Sequence, residues 1–442
     1  MTATSATVIN KSILKLAIPN IVTNITVPLL GLVDLALMGH LNDPVFIGAI
    51  ALASIIFNII YHGFSFLRMG SSGLTAQAYG ANSHKEISLV LIRSLIVAIG
   101  LAIMLILLQY PIQWLSFKIL DGSESVRVLA ADYFYIRIWA APATLGLYAF
   151  FGWFLGVQNA KYPMIIALVI NLVNIALNFV FVIGLGMTSN GVALATVIAQ
   201  YSGLILAIFF LLTKYKQYVK IYSLNIILKT DAIVRFFKVN TDIFIRTILL
   251  LLTLAFFTNI SAKNGNEILA VNTLLFQFFF LFSYFADGFA YAGEALTGKA
   301  FGRGNRNLLR NTVKHLFYWG WGAAIVTSII FILGLSPLMQ LLTSNISLQE
   351  MAINYRLWVI IIPLTSTAAF IWDGIFIGVT ASKEMRNAMI ISSLLIFLPA
   401  YYITVNYWGN NALWFALNLF MIARGLLMWI MWRKIKPYLP RH

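Results

Sequence analysis

Hydrophobic residues form long blocks along the whole chain, and short polar intervals separate one block from the next. Each block reaches the roughly 20 residues that a helix needs to cross about 30 Å of hydrocarbon. The pattern predicts twelve membrane-spanning helices, at residues 13–39, 45–78, 89–109, 130–157, 163–186, 191–213, 232–260, 267–298, 311–335, 352–380, 387–407 and 411–433. An even number of spans places both termini on one side of the membrane.

The composition agrees with an all-α integral membrane protein. Of the 442 residues, 61% are apolar and 10% are charged, and the mean hydropathy is +0.88. Soluble domains carry about 25% charged residues, so a soluble protein is excluded. Cysteine is absent, which excludes disulfides and thiolate metal sites. The polar stretch from Met1 to Asn10 lacks the pattern of a signal peptide, so we expect the mature chain to start at Met1.

The basic residues are distributed as a topology signal. Loops on the side opposite the termini hold Lys118, Arg127 and Lys263. Five more of the 30 Lys and Arg lie within spans, namely Arg68, Arg137, Arg246, Arg356 and Arg424. The remaining 22 lie on the side of the termini. The positive-inside rule makes that side cytoplasmic. We expect a multi-pass protein of the cell inner (cytoplasmic) membrane with both termini in the cytoplasm and no nucleic-acid partner.

An internal repeat divides the chain into two halves. The segment from Gly73 to Gly80 recurs at 295–302, under the shift that aligns Leu74 with Leu296. The same shift superimposes the segment 152–157 on 374–379.

We therefore predict two pseudo-symmetric six-helix bundles. They are an N-terminal lobe at 1–213 and a C-terminal lobe at 239–442, joined by a cytoplasmic linker at 214–238. Six is even, so the lobes share one orientation, with a cavity between them near the midplane, as in transporters.

Asp34 is the foremost candidate for a functional residue. It lies deep in the first span, where an ionised carboxylate is costly unless it is paired, hydrated or protonated. Protonation would bias a first helix that Pro19 and Pro28 allow to bend. The alternative is a carboxylate tied permanently to neighbouring helices.

Three asparagines accompany it on the fifth span. Asn171, Asn174 and Asn178 follow the spacing i, i+3 and i+7, which puts three amides on one helical face. They can line a polar cavity with Asp34, or simply form interhelical hydrogen bonds.

The second half offers Asp287, Glu294 and Asp373 within predicted spans, as a second ion or cationic-substrate site. Alternatively, Asp287 and Asp373 neutralise arginines such as Arg246 and Arg424. Asp242 and Arg246 have the i, i+4 spacing of an intrahelical ion pair. Under the shift of the repeat, the counterpart of Asp34 is Phe256, so the halves are chemically unequal.

The sequence contains no set of residues that would support an enzymatic reaction. The five histidines are dispersed, and no nucleophile-base set or metal cluster is evident. We expect neither a metal nor a cofactor apart from a coupling ion.

Several segments resemble the multidrug and toxic compound extrusion (MATE) transporters, in the DinF-like branch. They are Pro19, 32–34, 38–41, 67–69, 73–80, 287–291 and 373–374, in order over about Lys11 to Arg433. The resemblance implies V-shaped six-plus-six packing, alternating access, and export of cationic or amphipathic drugs in exchange for protons or sodium ions.

The resemblance also implies that Asn174, Asn178 and Thr196 surround Asp34. Many relatives carry aspartate where this chain has Asn178, so we expect a single carboxylate and prefer protons to sodium. The expected partners are small organic cations and membrane lipids, and the expected state is a monomer. A flippase for lipid-linked intermediates is the alternative function.

Overall fold

The computed structural model describes residues 6–39, 44–120, 122–220 and 222–435. Side chains are described throughout these ranges except at 27–44 and at residue 435. The side chains of Asp34 and Pro28 therefore lie outside the described part of the molecule.

All regular structure in the described ranges is helical, which confirms the all-α fold. Helix α1 spans Ala6–Gly39. Among the described residues, eleven further helices are long and apolar enough to cross a membrane: α2 Val45–Gly80, α3 His84–Leu107, α4 Glu124–Gly156, α5 Lys161–Gly184, α6 Ser189–Lys214, α7 Thr230–Lys263, α8 Asn266–Gly302, α9 Arg306–Leu342, α10 Arg356–Gly378, α11 Ser382–Trp408 and α12 Asn410–Lys434. With α1, they agree with the twelve predicted spans. Short helices at Gln109–Ile119, Leu224–Ile227 and Ile346–Ile353 lie between them.

The repeat is visible in the connections between helices. Ser83 caps α3 by accepting a hydrogen bond from the Glu86 amide at 3.4 Å, and Asn305 caps α9 by accepting one from the Leu308 amide at 2.8 Å. The residues before the caps, at 82 and 304, have φ of 54° and 67°. The two connections are therefore equivalent. Each reverses the chain through a residue in the left-handed conformation, and the side chain of the next residue caps the following helix.

The closest helix crossing also occurs twice. In the first half, α4 lies against α2, and an added Cβ on Gly152 would overlap the carbonyl oxygen of Arg68, while one on Gly156 would lie 2.5 Å from Thr75 Cβ. The second half repeats each contact at the equivalent positions, because Gly374 on α10 meets the carbonyl oxygen of Ala290 on α8, and Gly378 meets Thr297. Paired glycines four residues apart let membrane helices approach this closely.

The chain packs into two compact units. The N-terminal unit is Val22–Phe236, and the C-terminal unit combines Phe237–His442 with Met1–Ile21. The start of α1 belongs to the C-terminal unit because its side chains contact that unit: the side-chain carbonyl oxygen of Asn10 accepts from Trp319 Nε1 at 3.1 Å and lies 2.9 Å from His315 Nδ1. Gly288 on α8 also leaves room for Ala17 and Ile21.

The connection between α6 and α7 is docked onto the N-terminal unit. Ser88 donates to the Tyr218 carbonyl at 2.6 Å, and Arg93 donates to the carbonyl oxygens of Ile226 and Ile227 at 3.2 and 2.9 Å, at the end of the short helix Leu224–Ile227. Tyr215 accepts a hydrogen bond from Asn159 at 2.8 Å. Burial raises the pKa of Tyr215 to about 12. The connection is thus held by polar contacts rather than free.

Candidate functional site

A buried polar cluster lies between α5 and α6 in the N-terminal unit. Asn178 donates to the Asn174 carbonyl oxygen at 2.9 Å, and Asn174 donates to Thr196 Oγ1 at 3.1 Å. Thr196 in turn donates to the Val192 carbonyl at 2.9 Å. Asn174 and Asn178 are 1% and 0% exposed, so the structure brings the three predicted residues together inside an apolar bundle. Their role in binding an ion stays a prediction.

Asn171 lies one turn earlier on α5 and makes a different contact. Its amide donates to the carbonyl oxygen of Thr26 on α1 at 3.2 Å. Thr26 and Asp34 lie on the same helix, about two turns apart. The asparagine face of α5 therefore contacts the helix that carries Asp34, although the Asp34 side chain itself lies outside the described part.

The helix changes its hydrogen-bonding pattern directly after Asn178. Residues Phe179–Gly184 form a π-helix, in which each turn is wider than in an α-helix. The fifth helix of the second half, α11, also contains a π-helix, at Ile391–Phe397. There Thr253 on α7 donates to Ser393 at 3.2 Å. Single π turns within α-helices are frequent at functional sites.

The C-terminal unit contains a buried charge cluster. Arg246 on α7 and Arg424 on α12 both donate to Oδ2 of Asp373 on α10, Arg424 at 2.6 Å. Arg246, Arg424 and Asp373 are 7%, 2% and 5% exposed. Arg424 also contacts the sulfur of Met421 at 3.3 Å. This geometry favours the alternative in which Asp373 neutralises arginines, and an ion- or substrate-binding role for it stays a prediction.

The predicted pair between Asp242 and Arg246 is wrong. Asp242 instead accepts hydrogen bonds from Arg386 at 2.6 Å and from Ser382 at 2.9 Å, both on α11. Arg246 turns to Asp373. Asp242 and Arg246 are both buried, and each is neutralised by a close opposite charge on another helix, which offsets the cost of burial.

The remaining predicted residues lie on α1 and α8. Asp287 is half-buried on α8, and Glu294, two turns later on α8, is 1% exposed and lies at the crossing with α10. Pro19 is half-buried within α1, which runs without a break from Ala6 to Gly39. Their proposed roles in binding and in helix bending stay predictions. Among the described residues, no three histidine or carboxylate side chains group as metal ligands.

Sequence reasoning missed one buried network in the C-terminal unit. Asn272 on α8 donates to Ser261 at 2.7 Å and to Asn410 at 2.8 Å, and it accepts from Trp414 Nε1 at 2.9 Å. Asparagines inside otherwise apolar spans could have drawn attention to it. Their partners lie 11 to 142 residues away, which no local pattern shows.

Membrane-length helices repeated in two halves, with amides and charges buried inside apolar bundles, define a membrane transport protein. The MatE family model matches residues 19–180 and 243–403. This chain belongs to the MATE family of transporters, and its members are not enzymes.

Relatives and solved structures agree with this assignment. The chain is 37% identical to DNA damage-inducible protein F of Escherichia coli (strain K12), over 96% of this chain and 92% of that protein. It is 24% identical to Protein DETOXIFICATION 44, chloroplastic, of Arabidopsis thaliana, over 94% and 81% of the two chains. A solved outward-facing conformation of a multidrug resistance MATE family transporter of the MOP superfamily has the same fold, with a TM-score of 0.87, 19% identity, and coverage of 98% and 96%.

Proposed function

We propose that this protein is a secondary antiporter that exports cationic or amphipathic small organic molecules in exchange for entering protons. Protonation of Asp34 couples the two movements, in the cytoplasmic membrane with both termini inside the cell. The names of two similar proteins, which refer to detoxification and to multidrug resistance, support this class of cargo.

The buried cluster of Asn174, Asn178 and Thr196 carries this proposal. These side chains are neutral, so they can hydrogen-bond a carboxyl group or its carboxylate but cannot supply a coupling charge themselves. Asn171 holds α5 against α1, the helix that carries Asp34. With Asn178 in place of a second carboxylate, the cluster suits one titrating group and hence one proton.

Sodium coupling is the alternative for the same cluster. Amide, hydroxyl and backbone carbonyl oxygens are hard ligands, and with Asp34 they can surround a small cation. Only a transport measurement with separate gradients distinguishes the two ions.

The charge cluster of the C-terminal unit supports placing the coupling in the N-terminal unit. Asp373 already faces two buried guanidinium groups, so its negative charge is matched without a further cation. Asp287 and Glu294 remain the candidates for contacting a cationic cargo in the C-terminal unit.

The test is efflux of a fluorescent cationic dye from proteoliposomes under an imposed pH gradient, or under a sodium gradient at fixed pH. We expect proton-driven efflux by the native chain and its loss in Asp34→Asn. The matched control is Asp231→Asn, which removes an exposed carboxylate at the start of α7 and should leave efflux unchanged. Efflux driven by the sodium gradient alone would show that sodium, and not the proton, is the coupling ion.

A flippase for lipid-linked intermediates is the second candidate. The observation that favours it is the pair of buried arginines on one carboxylate, since two guanidinium groups suit an anionic headgroup better than a cationic drug. Movement of a labelled lipid pyrophosphate between leaflets, without any gradient-dependent dye efflux, would support the flippase and reject the antiporter.

A further inference from the structure

A groove of about 770 Å³ runs along the C-terminal unit, and its lining residues include none of the polar groups described above. Its walls are α9 and α12, and α10 forms its floor. Each helix contributes one face: residues 310, 313, 314, 317 and 321 on α9, and 422, 425, 426, 429 and 433 on α12, follow helical spacing.

Aromatic side chains supply five of the fifteen residues that line the groove. Trp372 on the floor and Trp432 on the α12 wall are 4% and 9% exposed, and their rings meet at a tilt of 43° with centroids 5.5 Å apart. Trp321 and Trp429 on the walls remain 40% and 41% exposed. An apolar groove with open aromatic walls suits a flexible hydrocarbon chain rather than a polar solute.

One end of the groove is strongly basic. Arg310 and Lys314 lie near the start of α9, and Arg433 lies in the last turn of α12, so the three cations share one end of the unit. The lining residues that the structure describes include no carboxylate. Within the described residues these three cations form no ion pair, and Arg433 only covers the Trp429 ring, 3.8 Å from its centroid. The basic end is therefore available to an anion.

The length of the groove matches one leaflet of a bilayer. From Arg310 to Trp321, and equally from Ile422 to Arg433, eleven residues rise by about 17 Å at 1.5 Å each. That is roughly half of the 30 Å hydrocarbon core. The cations then lie at headgroup level, and the aromatic walls lie at the level of the acyl chains.

We propose that this groove binds an anionic phospholipid of the membrane. Its phosphate is held by Arg310, Lys314 and Arg433, and one acyl chain lies against the tryptophans. Basic pockets between membrane helices bind anionic headgroups in this manner. The three cations repel both a cationic drug and the ammonium group of a zwitterionic lipid, so the groove is separate from the proposed cargo site.

The test uses the purified full-length protein in neutral detergent, with native mass spectrometry to count retained lipid and thermal unfolding to measure its effect. The added probes are phosphatidylglycerol, phosphatidylcholine and inorganic phosphate. We expect phosphatidylglycerol alone to be retained and to raise the unfolding midpoint. The variant Arg310→Gln, Lys314→Gln and Arg433→Gln should bind it about 100-fold more weakly.

Two further variants make the result specific. Replacing the exposed Lys85, Lys214 and Lys216 of the N-terminal unit by Gln removes the same charge and should leave retention unchanged. Leu426→Trp fills the groove from an exposed wall position, keeps every cation, and should lower retention. Equal retention by the native chain and the groove variants would overturn the proposal. So would equal loss in the lysine control, equal binding of phosphatidylcholine, or the same stabilisation by inorganic phosphate alone.

Discussion

At the scale of single residues, the buried charges of the C-terminal unit decide which roles their carboxylates can take. Asp373 lies between Arg246 and Arg424, and all three are nearly inaccessible. Removing charges from water is costly, and only a close opposite charge offsets that cost. A carboxylate in this position stabilises two helices against α10, whatever else it does during transport.

We predict that Asp373→Asn lowers the free energy of unfolding by roughly 3–5 kcal/mol, because two guanidinium groups are left buried without a counter-charge. Thermal or denaturant unfolding in detergent measures the change. Asp231→Asn, at an exposed position, should stay close to the native value. A variant as stable as the control would show that the arginines are hydrated or find other partners.

For single residues, the sequence predicted contacts correctly where helical periodicity places both side chains on one face. The spacing of Asn174 and Asn178 placed them on one face, and they are hydrogen-bonded to each other. The prediction failed for Asp242 and Arg246. Asp242 contacts an arginine on α11 and Arg246 contacts an aspartate on α10, and spacing along one helix does not reveal partners on other helices. Partners far apart in the chain have no local signature.

At the scale of helices, the main structural feature is the close crossing of α2 with α4 and of α8 with α10. Gly152 and Gly374 are equivalent positions, and each allows a neighbouring backbone carbonyl to approach where a Cβ would stand. The repeat in the sequence included both glycines. Their role in close packing became clear only from their partners, Arg68 and Ala290, which the repeat also relates to each other.

We predict that Gly152→Ala and Gly374→Ala each lower the free energy of unfolding by about 1–3 kcal/mol, because the added methyl group forces the helices apart. Parallel thermal unfolding of both variants measures this. Gly100→Ala on α3 and Gly322→Ala on α9 serve as controls, since an added Cβ meets nothing within 4 Å there. The control variants should be at least as stable as the native chain, because alanine favours a helix more than glycine does. An equal loss of stability in the controls would contradict the role of the close crossing.

The hydrophobic pattern predicted the long helices well because crossing a membrane demands length and apolarity, which are properties of a local segment. It did not predict the π-helices at Phe179–Gly184 and Ile391–Phe397. A shift from one backbone hydrogen-bonding pattern to another leaves the apolar composition of a span unchanged. Both halves have a π-helix in their fifth helix, but the shift of the repeat carries 179–184 to 401–406 rather than to 391–397, so the two π-helices lie at different positions along their helices.

At the scale of the whole molecule, the connection between the two halves is an ordered part of the N-terminal unit. Arg93, Ser88 and Asn159 hold it through hydrogen bonds, and Trp153 lies against Tyr215 and Tyr218 with ring centroids 5.2 and 5.8 Å apart. The sequence predicted a polar linker here but not its attachment. Composition distinguishes a loop from a span, whereas attachment depends on contacts more than a hundred residues apart along the chain.

We predict a loss of stability at alkaline pH that depends on Tyr215. Burial raises its pKa to about 12, whereas the unfolded chain ionises near the usual 10.0. The contribution of the neutral phenol is therefore complete below pH 10 and is lost as the pH rises through about 12. Phenolate absorbance and unfolding midpoints across this range measure the effect in the native chain and in Tyr215→Phe.

Tyr110→Phe is the control, because Tyr110 is 74% exposed. Replacing Tyr215 should remove one phenol from the part of the absorbance titration near pH 12 and flatten the alkaline fall in stability, and replacing Tyr110 should do neither. Identical curves for the two variants would contradict a buried phenol in the connection.

The grouping of the start of α1 with the second half has a consequence for biogenesis. Synthesis proceeds from the N-terminal to the C-terminal end, so the segment around Asn10, Ala17 and Ile21 leaves the ribosome before its partners do. Its partners on α8 and α9 include Gly288, His315 and Trp319, which follow only after more than half of the chain has been synthesised. Helix α1 thus enters the bilayer before α8 and α9 and completes its packing only when they follow, and until then a membrane insertase or the surrounding lipid has to shield its open face.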